Sequence, residues 1–474
     1  MSVAVLDIGK TNLKIHLFDD RGGLVAERSR PNRSLPGPPW RHYDLGAIED
    51  WLFATLAGFA REHPVAAFVA ACHGSGGVLV DADGPVLPAI DYENEVPAEI
   101  AREYRALIPP FPACGAPIQV RAGHFAQQML LMQRSDPAAF ARARHFLPLP
   151  QYWAWRMTGC AVHEPTMLGA QSQLINPLDR SSTGIVEACG WQHLMAPVVA
   201  PSEVVGTVRP GLGLPEGLQV LAGIHDSTAN LFGYQAAGLV DFALLSTGTW
   251  LVGMCPTTPV EALDAAFGMT VTNDAAGRPV AGVLGMGGRE YAAITGGLAG
   301  TTSAQALEGL IGRGCLALPG FVDYDGIFPG SAGRGRIEGE PGGQDGRIAL
   351  ATLYNALVAD IFLDLMRSTG QVVVDGGFTA DPAFAALVAA LRPGQEVLVN
   401  RLGGGTAAGA AQLWTHVHRG QPVRLGIEPV SPLPLSGLSG LAAYRRRWRQ
   451  AVAAHIQRPL PPSCSGLSPS NDQE

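Results

Sequence analysis

The stretch AVLDIGKTNLK, Ala4 to Lys14, decides how the chain begins. It holds Gly9-Lys10-Thr11, the close of the phosphate loop G-x-x-x-x-G-K-[ST], but the position five residues before Gly9 is Ala4 and not glycine. The residues after the turn also differ. Leu13, Ile15 and Leu17 alternate with Lys14, His16 and Phe18, the period of a strand, where a phosphate loop would open a helix. The reading is therefore strand, tight turn, strand. Asp19-Asp20-Arg21-Gly22-Gly23 is a second turn, and Leu24 to Arg28 supplies a third strand.

The same design returns at DFALLSTGTWLVGMC, Asp241 to Cys255, where a strand reaches Ser246, Thr247-Gly248-Thr249 turns, and a strand resumes at Trp250. Two such units predict an α/β protein of two related lobes facing one nucleotide. Between them, Leu45 to His63 has helical spacing, Ala66 to Cys72 and Val78 to Asp81 read as strands around the turn His73-Gly74-Ser75-Gly76-Gly77, and 97–156 reads as mainly helical, interrupted by the Pro-rich 109–117. Gln219 to Ala222 is a strand, Gly223 to Asp226 a loop, and a helix begins at Ser227. Further on, Val372 to Asp375 is a strand, Gly376-Gly377 a break, and Pro382 to Leu391 a helix with proline in its first turn. RLGGGTAAGAAQLW, Arg401 to Trp414, is a glycine-rich entry to a helix of small residues.

A chain of 474 residues implies about two or three domains, and 47% hydrophobic with 16% charged residues is globular composition. The net charge of −8 argues against nucleic acid as a partner, and the one basic run, Arg445-Arg446-Arg447-Trp448-Arg449, reads as the polar face of a terminal helix. Seven cysteines without C-x-x-C spacing give neither a zinc site nor a disulfide framework and fit a reducing cytoplasm. Asp7 interrupts the first apolar run, so no secretory signal is read, and no apolar stretch looks long and uncharged enough to span a bilayer. Pro459 to Glu474 reads as a disordered tail, and a homodimer is among the open assembly states.

Together these stretches resemble the FGGY carbohydrate kinases, relatives of actin, hexokinase and the heat-shock chaperone ATPases in the RNase H-like two-lobe superfamily. The resemblance runs from about Val3 to about Arg446. STGTWLV at Ser246 to Val252 and EPTMLGAQSQLINP at Glu164 to Pro177 are most similar to the fuculokinase and rhamnulokinase branch, and GIHDSTANLFG at Gly223 to Gly233 is similar to the motif that carries the family's catalytic aspartate. The implied layout is an N-terminal sugar-binding lobe over 1–238, an ATP-binding lobe over 239–445, and a terminal helix and tail over 446–474, with a nucleotide cleft between the lobes.

Phosphoryl transfer to a sugar hydroxyl needs a positioned proton acceptor and neutralisation of phosphate charge. The resemblance makes Asp226 the general base; on position alone it could equally be a helix N-cap. His225 beside it is read as packing or orienting. Asp7 would act through Mg2+ and its waters, or else stabilise its turn. The tips Gly9-Lys10-Thr11-Asn12 and Thr247-Gly248-Thr249 are candidates for the phosphates of ATP. Two readings are open for Lys10, a point charge on the transferred phosphate or a side chain in solvent.

Gly376 and Gly377 resemble the adenosine segment, with Asp375 and Asp381 where the family usually has Gly and Asn; Gly404, Gly405 and Ala408 form another wall, or else serve helix packing. For the sugar the candidates are His73, Gly74, Ser75, Asp91, Tyr92, Glu93 and Asn94. The branch carries a sugar-binding aspartate where this chain has Gly76, and the family commonly has a Lys and a Trp in the segment where it has Gln128 and Leu131. The implied activity is ATP-dependent phosphorylation of a ketose such as L-fuculose or L-rhamnulose. Xylulose, ribulose or a polyol are alternatives, and so is a non-catalytic actin-like nucleotide-binding regulator.

Overall fold

The computed structural model describes residues 1–118, 121–401, 404–423, 426–431 and 440–464. They pack as two compact units: one takes 1–238, 271–279 and 404–423, and the other takes the rest. The units therefore do not follow the chain in two blocks, since 271–279 and 404–423 join the first although they lie within the span expected of the second lobe.

In the first unit, β1 (Ser2–Ile8) pairs antiparallel with β2 (Asn12–Asp19), and β2 with β3 (Leu24–Pro31). Asp19 makes the second turn by accepting at Oδ1 from the N–H groups of Arg21, 2.9 Å, and Gly23, 2.8 Å. Helix α1 (Leu45–Glu62) starts where the Asp44 carboxylate takes the Ala47 N–H, and it buries Ile48, Leu52, Leu56 and Phe59. Strand β4 (Val65–Cys72) runs parallel to β1. Both faces of β1 are covered, which is why it reads as a nearly unbroken apolar run. Ala4, Leu6 and Ile8 join the cluster of the α1 face; Val3 and Val5 join another that includes Ala229, Ala407 and Leu413. Period two then places Asp7 on the Val3 and Val5 face, at the C-terminal end of its strand.

β5 (Gly77–Val80), helix α2 (Phe125–Ser135) and β6 (His145–Pro148) come next, β5 pairing antiparallel with β6. The strand β6 departs from the mainly helical expectation for 97–156. Gly77 makes it possible, because a Cβ there would lie 2.1 Å from the Phe146 ring. Helix α3 (Pro165–Gly169) succeeds it, and β7 (Gln219–Leu221) runs parallel to β4. Gly223, at φ +92°, bends the chain where a Cβ would meet the Ala70 carbonyl at 2.8 Å. The expected loop then contains a two-residue strand, β8 (Ile224–His225), which rejoins β4 at Ala71 and Cys72, and α4 (Asp226–Ala236) starts one residue earlier than read.

In the second unit, β9 (Phe242–Thr247), β10 (Leu251–Cys255) and β11 (Pro279–Gly285) form an antiparallel meander. Helix α5 (Gly343–Leu365) is long and apolar enough to cross a membrane by length and composition, unlike the sequence reading; from Ile348 onward it is buried in the core of this unit. β12 (Gln371–Gly376) lies parallel to β9; beyond it come helix α6 (Pro382–Leu391) and β13 (Val397–Asn400), the latter parallel to β12. The order β11-β10-β9-β12-β13 thus repeats β3-β2-β1-β4-β7.

Helix α7 (Gly405–Thr415) packs in the first unit against α4, so closely that a Cβ on Gly409 would lie 1.8 Å from the Ala229 carbonyl oxygen. Helix α8 (Leu441–Ile456) closes the second unit with Arg446 and Arg447 on its exposed polar face, while Arg445 is buried, with Nε 2.7 Å from Asp360, and Arg449 reaches Asp364 at 2.7 Å. Both partners sit on α5, where Arg392 also pairs with them at 2.9 and 2.8 Å. Of the expected disordered tail, 465–474 lie outside the described residues.

Candidate active site

Asp226 is the first residue of α4 and not its cap, a position held by His225. Its Oδ1 accepts from the Ser227 N–H at 2.5 Å and lies 3.4 Å from His225 Nε2, and its side chain stays 27% exposed. Asp7 is half-buried on β1, and its carboxyl is pushed up to about 7, first by burial and then by the negative charge of Asp226. A dehydrated carboxylate beside a second one is disfavoured as an anion until a cation joins it. That donor chemistry fits a hard divalent ion that takes carboxylate and water oxygens, with Asp7 as the residue to hold it.

Neither open reading of Lys10 describes it. The side chain leaves the hairpin tip for the loop Asp91-Tyr92-Glu93: Nζ bonds Asp91 Oδ1, lies 3.4 Å from Glu93 Oε2, and stands 4.6 Å from the centroid of the Tyr92 ring. Asp91 is fully buried. Its other donors are the Glu93 N–H at 3.0 Å, Ser34 Oγ at 2.5 Å and Arg41 Nε at 2.7 Å, so both oxygens carry two donors and its part is anchoring. Burial alone would raise this carboxyl; the hydrogen bonds from Lys10, Ser34 and Glu93 outweigh it and hold the pKa at about 2. Asn94 fixes the same loop, accepting the Arg41 N–H at 3.0 Å. His73 packs against Tyr43 and Tyr92, and burial keeps it neutral. The tip itself is closed by Gly9 N–H to the Asn12 carbonyl, 3.0 Å, and Thr11 and Asn12 are exposed.

Around the turn 73–77, Ser75 stands at φ +63° with its hydroxyl on the Gly123 carbonyl. Gln128 is buried and donates to the carbonyls of Ser75 and Ala122, 2.7 Å each, while Leu131 is part of an apolar cluster. Gly74 lies where a Cβ would approach His225 Nε2 to 3.2 Å. At Gly76 a Cβ would sit 2.5 Å from Leu149 Cδ1, so no aspartate fits there without displacing Leu149. Two residues that sequence reasoning left without a part, Glu164 and Thr166, sit behind His225. Burial pushes the Glu164 carboxyl up to about 7 against three hydrogen bonds from Thr166 and Met167, and the Thr166 hydroxyl takes the His225 N–H at 2.9 Å. The signal that could have found them is Glu164-Pro165-Thr166, an acidic cap before a proline at a helix start.

In the second unit the tip of β9 and β10 is closed by Gly248 N–H to the Trp250 carbonyl at 2.8 Å, with Gly248 exposed and Thr249 half-buried. Thr247 donates to the Asp375 carbonyl at 2.6 Å and accepts from the Phe378 N–H at 2.9 Å. Gly376, at φ +91°, admits no side chain, since a Cβ would be 2.0 Å from the Thr247 carbonyl. Asp375 is buried with Asn400 Nδ2 3.2 Å from it, and Asp381 caps α6 and accepts from Thr302 and Thr352. A cavity of about 210 Å³ opens beside Gly377 and Asp381, lined also by Tyr291, Gly300, Thr301 and Phe378. Gly404 and Gly405 stand at the start of α7 in the first unit, and on the same helix Gly409 serves close packing.

Two sheets of repeated order, each presenting a closed hairpin tip, give the chain the actin and hexokinase architecture of the sugar kinases. Similarity to known proteins narrows this. The N-terminal domain of the FGGY family of carbohydrate kinases matches residues 2–233, and the carbohydrate kinase FGGY C-terminal domain matches 240–422. The chain belongs to the FGGY family of carbohydrate kinases. A carbohydrate kinase from Novosphingobium aromaticivorans is 32% identical, with a TM-score of 0.83 over 95% of this chain and 98% of that one. The L-fuculokinase of Salmonella typhi is 28% identical over 55% of this chain and 57% of its own length, so the chain spans little more than half of that relative. Xylulose kinase from Rhodospirillum rubrum shares the fold at 20% identity, with a TM-score of 0.77 over 96% of this chain and 99% of that one.

Proposed function

We propose that the protein transfers the terminal phosphoryl group of ATP to a hydroxyl of a ketose, a 6-deoxy-L-ketohexose such as L-fuculose or L-rhamnulose, with Asp226 as general base. The observation that carries this is the Asp226 carboxylate, partly exposed at the head of α4 beside Asp7. A carboxylate there can accept the hydroxyl proton as the oxygen attacks phosphorus. Mg2+ held through Asp7 would offset charge on the phosphates when bound. The glycine-bare tips at Gly9 and Gly248 allow close backbone approach to phosphate, and the cavity beside Gly377 would take the base.

One observation favours a second reading, a xylulose, ribulose or polyol kinase. Leu149 fills the space an aspartate at Gly76 would need, so a sugar hydroxyl bound through that carboxylate in the fuculokinase and rhamnulokinase branch has no such partner here.

An ADP-release assay with MgATP against a panel of ketoses, pentuloses and polyols separates them. Asp226→Asn is expected to lower kcat by roughly 10²–10⁴-fold while ATP affinity is kept. Equal loss of both would show that Asp226 is structural, and ATP binding with no sugar hit would count against the reaction itself.

A further inference from the structure

The residue before Asp226 is held by an unusual partner. Strand β8 is only two residues long, and the N–H of His225 goes to a side chain, Thr166 Oγ1, at 2.9 Å. That hydroxyl is fully buried and donates its own proton to Glu164 Oε1 at 2.8 Å. Glu164, also fully buried, accepts in addition the N–H groups of Thr166 and Met167, 2.7 Å each, and so cannot turn away. A hydroxyl is a rotor that can donate or accept in several directions. With its proton committed to Glu164, a lone pair of Thr166 is left facing His225 N–H. Two residues upstream, Gly223 turns the chain at φ +92°. The segment that delivers Asp226 thus leaves a glycine turn on one side and is clamped on the other.

We propose that Thr166, oriented by Glu164, is a positioning residue that fixes the backbone at His225 and through it the direction of the Asp226 carboxylate. The inference rests on the reading of Asp226 as the base. Thr166→Val keeps shape and loses the hydroxyl; Thr166→Ser keeps the hydroxyl.

With the sugar identified by the panel, Thr166→Val should lower kcat about 10-fold or more with KM for ATP within about twofold, and Thr166→Ser should recover to within about threefold of the parent, melting temperatures being measured alongside. The double variant Thr166→Val with Asp226→Asn should be no slower than Asp226→Asn alone, because the clamp acts only through that carboxylate. A Val variant within twofold of the parent, a loss that Ser does not rescue, or additive losses in the double variant would each overturn the proposal. If Asp226→Asn itself stays active, the base reading fails instead. Crystal structures of the two Thr166 variants then still decide the clamp, with residues 225–226 displaced in Val and not in Ser if it is right, and unmoved in both if it is wrong.

Discussion

Four donors converge on the single buried carboxylate of Asp91, and one of them, Lys10, lies 81 residues away in the chain. A lysine at a phosphate-like turn invites an electrostatic reading toward phosphate, yet its charge is spent within the protein. The acid range should reveal this. The Asp91 carboxyl is held near 2 against an ordinary 3.8, so its folded pKa is depressed; the stabilisation is present above pH 3.8 and is lost as pH falls toward 2. Its size is about 2 kcal/mol. In urea unfolding, the stability gap between the parent and Asp91→Asn should narrow as pH is lowered from about 5.5 to 3; a constant gap would show that charge plays no part in the anchoring. Residue by residue, the motif around Asp226 could be read because its members are neighbours in the chain, and the structure sets that residue at the head of α4. Lys10 and Asp91 were not legible as a pair, since nothing local records a contact between residues so far apart.

Elements were legible where a face alternates. The hairpin of β1 and β2 could be read because one register covers seven residue pairs. Strand β6 could not, being four residues without alternation that exist as a strand because Gly77 gives Phe146 room. Helix α5 misleads by composition, since its two buried aspartates are matched by arginines on α6's border and α8. The crossing of α4 and α7 depends on one hydrogen atom at Gly409. Gly409→Ala would drive a methyl group into the Ala229 carbonyl, and the helices must part, at a cost of about 1–3 kcal/mol. Scanning calorimetry should show a melting temperature lower by several degrees, on the scale of about 2–4 °C per kcal/mol for a unit of this size. Since α4 begins with Asp226, kcat should fall too. An unchanged melting temperature would mean that the two helices can separate freely.

At the scale of the molecule, the repeat of sheet order was legible from two hairpins of like design, whereas the membership of each unit was not. A sequence scan assigns neighbours in the chain to one body, and α7 violates that assumption. Its Ala407, Ala410 and Leu413 complete the face of the first sheet on which Val3, Val5 and Ile224 lie. Biosynthesis must contend with that order. During translation the first 238 residues emerge with that face uncovered, and they wait for more than 160 further residues before the helix that seals it is made. A polypeptide stopped before Gly404 should behave as a sticky, incompletely folded body, a client for chaperones and proteases. Expressed alone, 1–238 should be poorly soluble or bind a hydrophobic dye strongly, and supplying 404–423 through a short linker should relieve both; a well-folded 1–238 fragment would show that the late helix is an ornament and not the keystone of its unit.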